Sequence, residues 1–277
     1  MGLIKQLFFY LSKSAVLKSI REDQQMSEMW DLSLEMFPNL GNHYATVKLT
    51  GEALVRVRML ICAQAVFMTR VIESLKSDGA SVSSYADIGD SDGSTRMLFE
   101  KAIDVPDIST VGINIQAEAV EQIRALGLDA ECMDAMKMAE RGMQYGVASV
   151  FETLEHLPDP IGFLRAMQDV AQERLVISVP LIVNSRVGLG YLKSNWPKEK
   201  SATIANNHIF ELTPEDWNKL FLHTGWRVDI SWRVQQFPRW GLLRLLMMYA
   251  WRRISFEGFY FVSLVKDDTY SSRYVEG

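Results

Sequence analysis

Residues 151–157 read "FETLEHL" and place Glu152, Glu155 and His156 within about one turn of one another. If a turn or short helix begins there, the i, i+3 and i, i+4 spacing points both carboxylates and the imidazole in one direction. A further histidine, His208, lies in "NNHIFEL". Three chemistries are open to such a set. His156 could act as a general base toward a hydroxyl, oriented by Glu155 or Glu152. The cluster, joined by His208, could hold a divalent cation that lowers the pKa of a bound hydroxyl. Alternatively, Glu155 and His156 only cap and brace a loop.

A second such stretch is "SYADIGDSDGSTRMLFEKA", residues 84–102, which presents Asp87, Gly89, Ser91 and Gly93 between an apolar run and an amphipathic one. Gly89 lets the backbone turn sharply, and Gly93 lets a helix start come close to a ligand. A pyrophosphate would be repelled by Asp90 and Asp92, although a helix N-terminus otherwise suits an anion. A ligand that carries an ammonium and a sulfonium but no phosphate suits those carboxylates better. The bland alternative is a solvated loop in which Asp90 and Asp92 are helix-start carboxylates.

The elements that would position these residues alternate. Helical periodicity predicts helices over Leu3–Ala15, Glu52–Leu75, Ser94–Ile103, Ala117–Leu126 and Ile161–Val170. In "TPEDWNKLFLHTG", Thr213 is a natural N-cap, Pro214 suits the first helical position and Gly225 follows the end. Strands are predicted at "SSYADIG", "ISTVGINI", "LDAECM", "YGVASVF", "ERLVISVP", "WRVDISW" and "GFYFVSLVK". Such alternation implies an α/β fold, a parallel sheet covered on both faces, with ligands at the carboxyl ends of its strands. Two long connections, at about 181–211 and 234–257, are natural places for lids. From the first of these, Asn184, Ser185 and Arg186 could reach a ligand, as could His208. His223, before the glycine that ends its helix, reads as a packing or dipole residue.

Taken in order, these motifs resemble the class I S-adenosylmethionine-dependent methyltransferases over roughly residues 80–265. "ADIGDSDG" is similar to that family's first motif. The resemblance implies that Asp87 helps hold the methionine part of the cofactor and that Gly89 and Gly93 are the turn glycines, with Ser91 in place of a middle glycine. At the end of "GINI", Asn114 and Ile115 stand where the family usually has an acid for the ribose hydroxyls; an amide oxygen can accept one such bond without charge. "ECMDAM" resembles the third motif, with Asp134 near the adenine amine and Ala135 or Met136 against the ring. "VASVFETLEHLPDP" resembles the fourth, and Phe151 in it completes the cofactor set. Its E-x-x-E-H pattern is also similar to small-RNA 3′-end and ubiquinone-pathway O-methyltransferases, in which that pattern serves a metal.

What the resemblance implies is a Rossmann-like class I methyltransferase fold: seven strands, mostly parallel, in the order 3-2-1-4-5-7-6, the last antiparallel, with helices on both faces. The expected organisation is an N-terminal helical extension over 1–50, a methyltransferase domain over 51–268 and a tail over 269–277. The implied reaction is in-line displacement of the sulfonium methyl by an acceptor oxygen, which alignment alone can greatly accelerate.

The acceptor is the less legible part. Residues 226–256 carry four of the seven tryptophans and six arginines against one acid, Asp229. Trp226 and Trp232 flank a strand and belong to the core. Trp240, Leu243, Met247, Trp251 and Ile254 form a helical stripe ending at Arg252 and Arg253. This stripe either packs on the N-terminal helices or forms a lid over an acceptor bearing sugar, lipid or phosphate. The expected substrate is thus a glycan or other cell-envelope precursor, with lipid-linked molecules included. A small metabolite or quinone, and a non-catalytic scaffold that keeps the fold, are the alternatives.

With 48% hydrophobic and 23% charged residues and a net charge of −5, the chain is an ordinary globular one and no general nucleic-acid binder. Cys62 and Cys132 show no metal-ligand spacing, so a reduced, cytoplasmic protein is expected. The lysine-interrupted N-terminus lacks a signal-peptide pattern, and the apolar run from Leu245 to Trp251 is too short to span a bilayer. Peripheral contact with the cytoplasmic membrane face, through the basic helices, is a further expectation.

Overall fold

The computed structural model describes residues 3–40, 51–103, 108–187, 208–236 and 258–274. The chain opens with helices α1 (Leu3–Glu22), α2 (Gln24–Met36) and α3 (Gly51–Ser77). The alternating part runs β1 (Ser84–Ile88), α4 (Ser94–Ile103), β2 (Ser109–Asn114), α5 (Ala117–Ala125), β3 (Ala130–Cys132), β4 (Tyr145–Phe151), α6 (Pro160–Val170) and β5 (Ala171–Leu181). Two short strands follow, β6 (Arg186–Val187) and β7 (Phe210–Glu211), then α7 (Pro214–His223), β8 (Trp226–Gln235) and β9 (Gly258–Lys266).

The main sheet has seven strands in the order β3-β2-β1-β4-β5-β9-β8. Strands β1 to β5 pair in parallel and β9 pairs antiparallel to both neighbours. With the two short strands set aside, this is the order expected from the motifs. The direction of strand succession reverses at β1, between β2 and β4, which opens a crevice at the carboxyl ends of those strands. In register, Asp87 sits between Gly112 on β2 and Ser149 on β4.

Because alternate strand residues face opposite ways, the sheet buries two apolar layers. Tyr85, Val147, Val176 and Phe261 face α3 and α4, and the same layer takes in Val16, Ile20, Met26 and Met29 from α1 and α2. Ala86, Ile88, Val150 and Ile177 face Phe163, Leu164 and Met167 of α6 and Trp217 and Phe221 of α7. Trp226 is wholly buried in this second layer and donates its indole N–H to Leu164 O at 2.8 Å.

Helix α2 is not apparent from the periodicity of the N-terminal 50 residues. Asp23 starts it by accepting from Met26 N at 3.1 Å, and polar contacts add to the burial of Met26 and Met29 in holding it. Arg70 of α3 reaches Asp23 and Gln25, each at 2.7 Å, and stacks 4.5 Å above the Trp232 ring of β8. Arg58, also on α3, donates to the backbone oxygens of Ser33 and Phe37 at the other end of α2.

The second difference lies in the connection after β5, expected to be a loop of about 30 residues. Its ends are zipped: Arg186 pairs with Glu211 and Val187 with Phe210. Strands of two residues carry no periodicity that a sequence reading could detect. The residues between them, 188–207, and the Trp/Arg stripe at 237–257 with Trp240, Trp251, Arg252 and Arg253, lie outside the described residues.

Candidate active site

The first turn of the crevice is built by its own acids. Gly89 and Gly93 have φ of 86° and 75°, values that favour glycine. A Cβ on Gly89 would overlap the Thr153 hydroxyl, so the turn after β1 and the turn after β4 abut here. Asp90 accepts from Gly93 N at 2.7 Å and Asp92 from Ser94 N at 3.0 Å. Asp90 is also paired with Arg96 at 3.2 Å, and both side chains are buried. A Cβ on Gly112 would lie 2.7 Å from Asp90 Oδ2, so β2 leaves room for this pair. The two carboxylates that set this turn apart from a pyrophosphate site are thus tied to the turn itself, as helix-start residues. Burial outweighs the attraction of Arg96 and holds the Asp90 carboxyl above its ordinary range.

Asp87, at the root of the turn, is 4% exposed and accepts from Ser149 Oγ at 2.6 Å, which in turn lies 2.8 Å from Tyr85 Oη. Burial first, and then the charge of Asp90, push its pKa up to about 7. Asn114 donates to Asp90 O and accepts from Gln116 N, both at 2.8 Å. One lone pair of its amide oxygen is therefore in use within the chain. Beyond it, Ile115 is 66% exposed. Asp134 accepts from Met136 N at 3.0 Å and starts a 3₁₀ turn over Ala135–Lys137. Ser91 is exposed at the tip of the first turn, and Phe151 is buried at the end of β4.

The Glu/His cluster follows β4 directly. Glu152 takes a left-handed conformation, φ 46°, uncommon for a residue with a side chain. It is held there by Ser178 of β5, whose O accepts from Glu152 N and whose Oγ donates to Glu152 Oε1, each at 3.0 Å. Burial raises the Glu152 pKa to about 7. The chain then makes the 3₁₀ turn Leu154–His156, which takes in Glu155 and His156 and leaves Glu152 before it. Glu155 on this turn is completely buried, and among the described residues neither of its carboxylate oxygens receives a hydrogen bond. Burial, followed by the charges of Glu152 and Glu211, pushes its pKa well above the carboxylate range.

The strand pair β6–β7 carries His208 to this turn. Ile209 N donates to Glu155 O at 2.8 Å, and the rings of His156 and His208 meet edge-on with centroids 4.6 Å apart. Ligand atoms of Glu155, His156 and His208 all lie within 4.8 Å of one another. Residues more than fifty apart in sequence are thus brought together, as the reading of His208 anticipated. The His156–Glu155 separation of 3.9 Å exceeds a hydrogen bond, whereas His208 Nδ1 lies 3.0 Å from Glu211 Oε1. Glu211 is the residue that the sequence reading missed; its only signal was its place three residues after His208.

Arg186 pairs with the other oxygen of Glu211 at 3.7 Å. Ser185 bonds Asp216 and accepts from Thr213 N, bracing the start of α7. His223 lies 2.6 Å from Tyr274 Oη at the other end of that helix. His43 is outside the described residues.

The sheet order, the glycine turn at the reversal point and the acid/histidine turn after β4 define a class I methyltransferase architecture. Residues 66–230, more than half of the chain, match the family model described as a methyltransferase domain. The chain belongs to this family, the S-adenosylmethionine-dependent methyltransferases of class I. Among curated proteins none matches it by sequence.

Solved structures share the fold at low identity. A 1,6-didemethyltoxoflavin-N1-methyltransferase from Burkholderia thailandensis, solved with 1,6-didemethyltoxoflavin and S-adenosylhomocysteine, is 13% identical with a TM-score of 0.52, over 92% of this chain and 89% of its own. A Galdieria sulphuraria structure named for sarcosine dimethylglycine methyltransferase is 10% identical with a TM-score of 0.57, over 86% and 99%. The [4+2]-cyclase SpnF is 14% identical with a TM-score of 0.53, over 88% and 96%.

Proposed function

We propose that the protein transfers the methyl group of S-adenosylmethionine to a hydroxyl oxygen of a small-molecule acceptor. The observation that carries this reading is the Glu155–His156–His208 cluster, its carboxylate buried and its imidazoles half-buried, against the cofactor turn and joined to it through the Gly89–Thr153 contact. The residues of the crevice fit the cofactor. Asp87 would take the ammonium end, with Gly89, Ser91 and Gly93 as the backbone turn beside it. Asn114 would accept from a ribose hydroxyl, and Ile115, Ala135 and Phe151 offer apolar surface beside Asp134. When bound, the cofactor supplies a methyl on a cationic sulfur, which needs alignment more than activation. His208, held by Glu211, is an oriented proton acceptor in the cluster, and general-base assistance of this kind contributes about 10²–10⁴-fold. His156 packs against it, and Glu152 and Glu155 surround the pair with acid groups.

One observation favours a second reading of the same cluster. A wholly buried carboxylate that receives no hydrogen bond is expensive, and a cation would relieve it. Glu155, His156 and His208 supply a mixed oxygen and nitrogen set that suits a divalent metal. Such a metal would lower the pKa of the acceptor hydroxyl. The finer acceptor assignment, a glycan or lipid-linked cell-envelope precursor, has its support in the composition of 226–256 alone. The same holds for contact with a membrane face. Among the described residues no helix is long and apolar enough to cross a bilayer.

Thermal unfolding with S-adenosylhomocysteine tests the cofactor reading. At about 100 times its Kd the ligand stabilises the native state by about 2.7 kcal/mol, which raises Tm by a few degrees. No shift at millimolar ligand would leave the fold serving another purpose, as a methyltransferase-like fold does in the cyclase. Turnover measured after dialysis into excess chelator separates the two activation modes. Full activity removes the metal, and a loss restored by one divalent ion removes the metal-free base.

A further inference from the structure

We infer that Glu211 is a positioning residue that fixes His208 in one tautomer, with the proton on Nδ1 and the lone pair on Nε2. The inference rests on His208 belonging to the reacting site and adds to it a residue outside the family motifs. A carboxylate accepts hydrogen bonds only, so the 3.0 Å approach of Glu211 Oε1 makes His208 Nδ1 the donor. That leaves Nε2 as the nitrogen able to take a proton or bind a cation, and either activation mode requires it.

The fold over-determines this arrangement. Glu211 is 5% exposed, so its carboxylate competes little with water for the imidazole N–H. It stands directly opposite Arg186 on the β6–β7 pair, and the guanidinium lies against its second oxygen at 3.7 Å. The imidazole and the guanidinium thus meet different oxygens of the one carboxylate. Next to Glu211 in the strand, Phe210 pairs with Val187, and Ile209 is bonded to Glu155 O. The imidazole is thereby delivered to His156 on a backbone tied immediately after His208.

Arg186 also makes the isosteric substitution informative. In Glu211→Gln the amide oxygen turns toward the guanidinium, which can only donate, and the NH2 group then faces His208. The imidazole must answer with an unprotonated Nδ1, which moves its proton to Nε2. Two-bond proton–nitrogen correlations on nitrogen-15-histidine-labelled protein, at about pH 8 where an ordinary imidazole is neutral, read the tautomer directly. The expected results are Nδ1–H in the wild type and Nε2–H in Glu211→Gln, with kcat lowered on the order of 100-fold and KM for the acceptor near its wild-type value. Glu211→Asp should retain Nδ1–H and recover part of the loss.

An Nε2–H tautomer in the wild-type protein overturns the inference whatever the variants do. So does a Glu211→Gln protein with unchanged tautomer and kcat. His208→Ala is the control for the underlying reading. Wild-type turnover in that variant removes His208 from the chemistry, whereas loss of turnover in it, with Glu211→Gln unaffected, removes only the role of Glu211.

Discussion

Replacing Arg96 by Met should destabilise the protein by about 3–5 kcal/mol, the usual cost of taking one partner from a buried ion pair. Arg96 is wholly inaccessible and Asp90 nearly so, and no water can substitute for the guanidinium. Asp90 also accepts from Gly93 N, so the loss would loosen the turn and weaken cofactor binding as well as folding. Chemical denaturation of Arg96→Met, Asp90→Asn and the double variant measures the effect. The double variant should be more stable than Arg96→Met, because it no longer buries an uncompensated charge. A loss under about 1 kcal/mol for Arg96→Met would mean that the pair is not holding the turn.

The second large effect is a pair of opposite pH responses at Asp87. Its folded pKa of about 7 lies above the ordinary 3.8, so the native state keeps a proton that the unfolded chain has lost. The stability from this group is complete below about pH 4 and is lost as pH rises through about 7, by at most about 1.4 kcal/mol per unit. Cofactor affinity should run the other way, because the ammonium end pairs with the ionised carboxylate. Below pH 7 it should rise by up to about tenfold per unit. Asp87→Asn keeps the acceptor for Ser149 Oγ and removes the titrating proton. It should unfold later than the wild type at about pH 8, bind the cofactor weakly and lose both slopes. Calorimetry and binding titrations at matched pH values check this, and parallel slopes in the wild type would exclude Asp87 as the ammonium's partner.

The positions of the chemistry were more legible than its connections. Gly89, Gly93 and the Glu152–His156 run announce themselves because a sharp turn and an i, i+3, i+4 spacing are local properties. Strand order is not local, and it was legible only through the resemblance that the ordered motifs carry. The role of Asp90 was not local, since its partner Arg96 is recognisable only once Gly112 on another strand is seen to make space for both. Asn114 was legible as a hydrogen-bonding residue, but not its prior engagement with Gln116. Helix α2 escaped detection because it buries few apolar residues, Met26 and Met29 among them, and arginines from α3, which apolar periodicity does not register, complete its anchoring. Glu211 was hidden by the shortness of β7, for a two-residue strand has no pattern and its meaning comes from the facing Arg186.

The clasp formed by β6 and β7 has an evolutionary corollary. Because the excursion between Val187 and Phe210 leaves and returns through one fixed gate, it can be lengthened, shortened or exchanged as a cassette at small entropic cost. An exchange confined to residues 188–207 would leave His208 and its carboxylate, Glu211, unchanged.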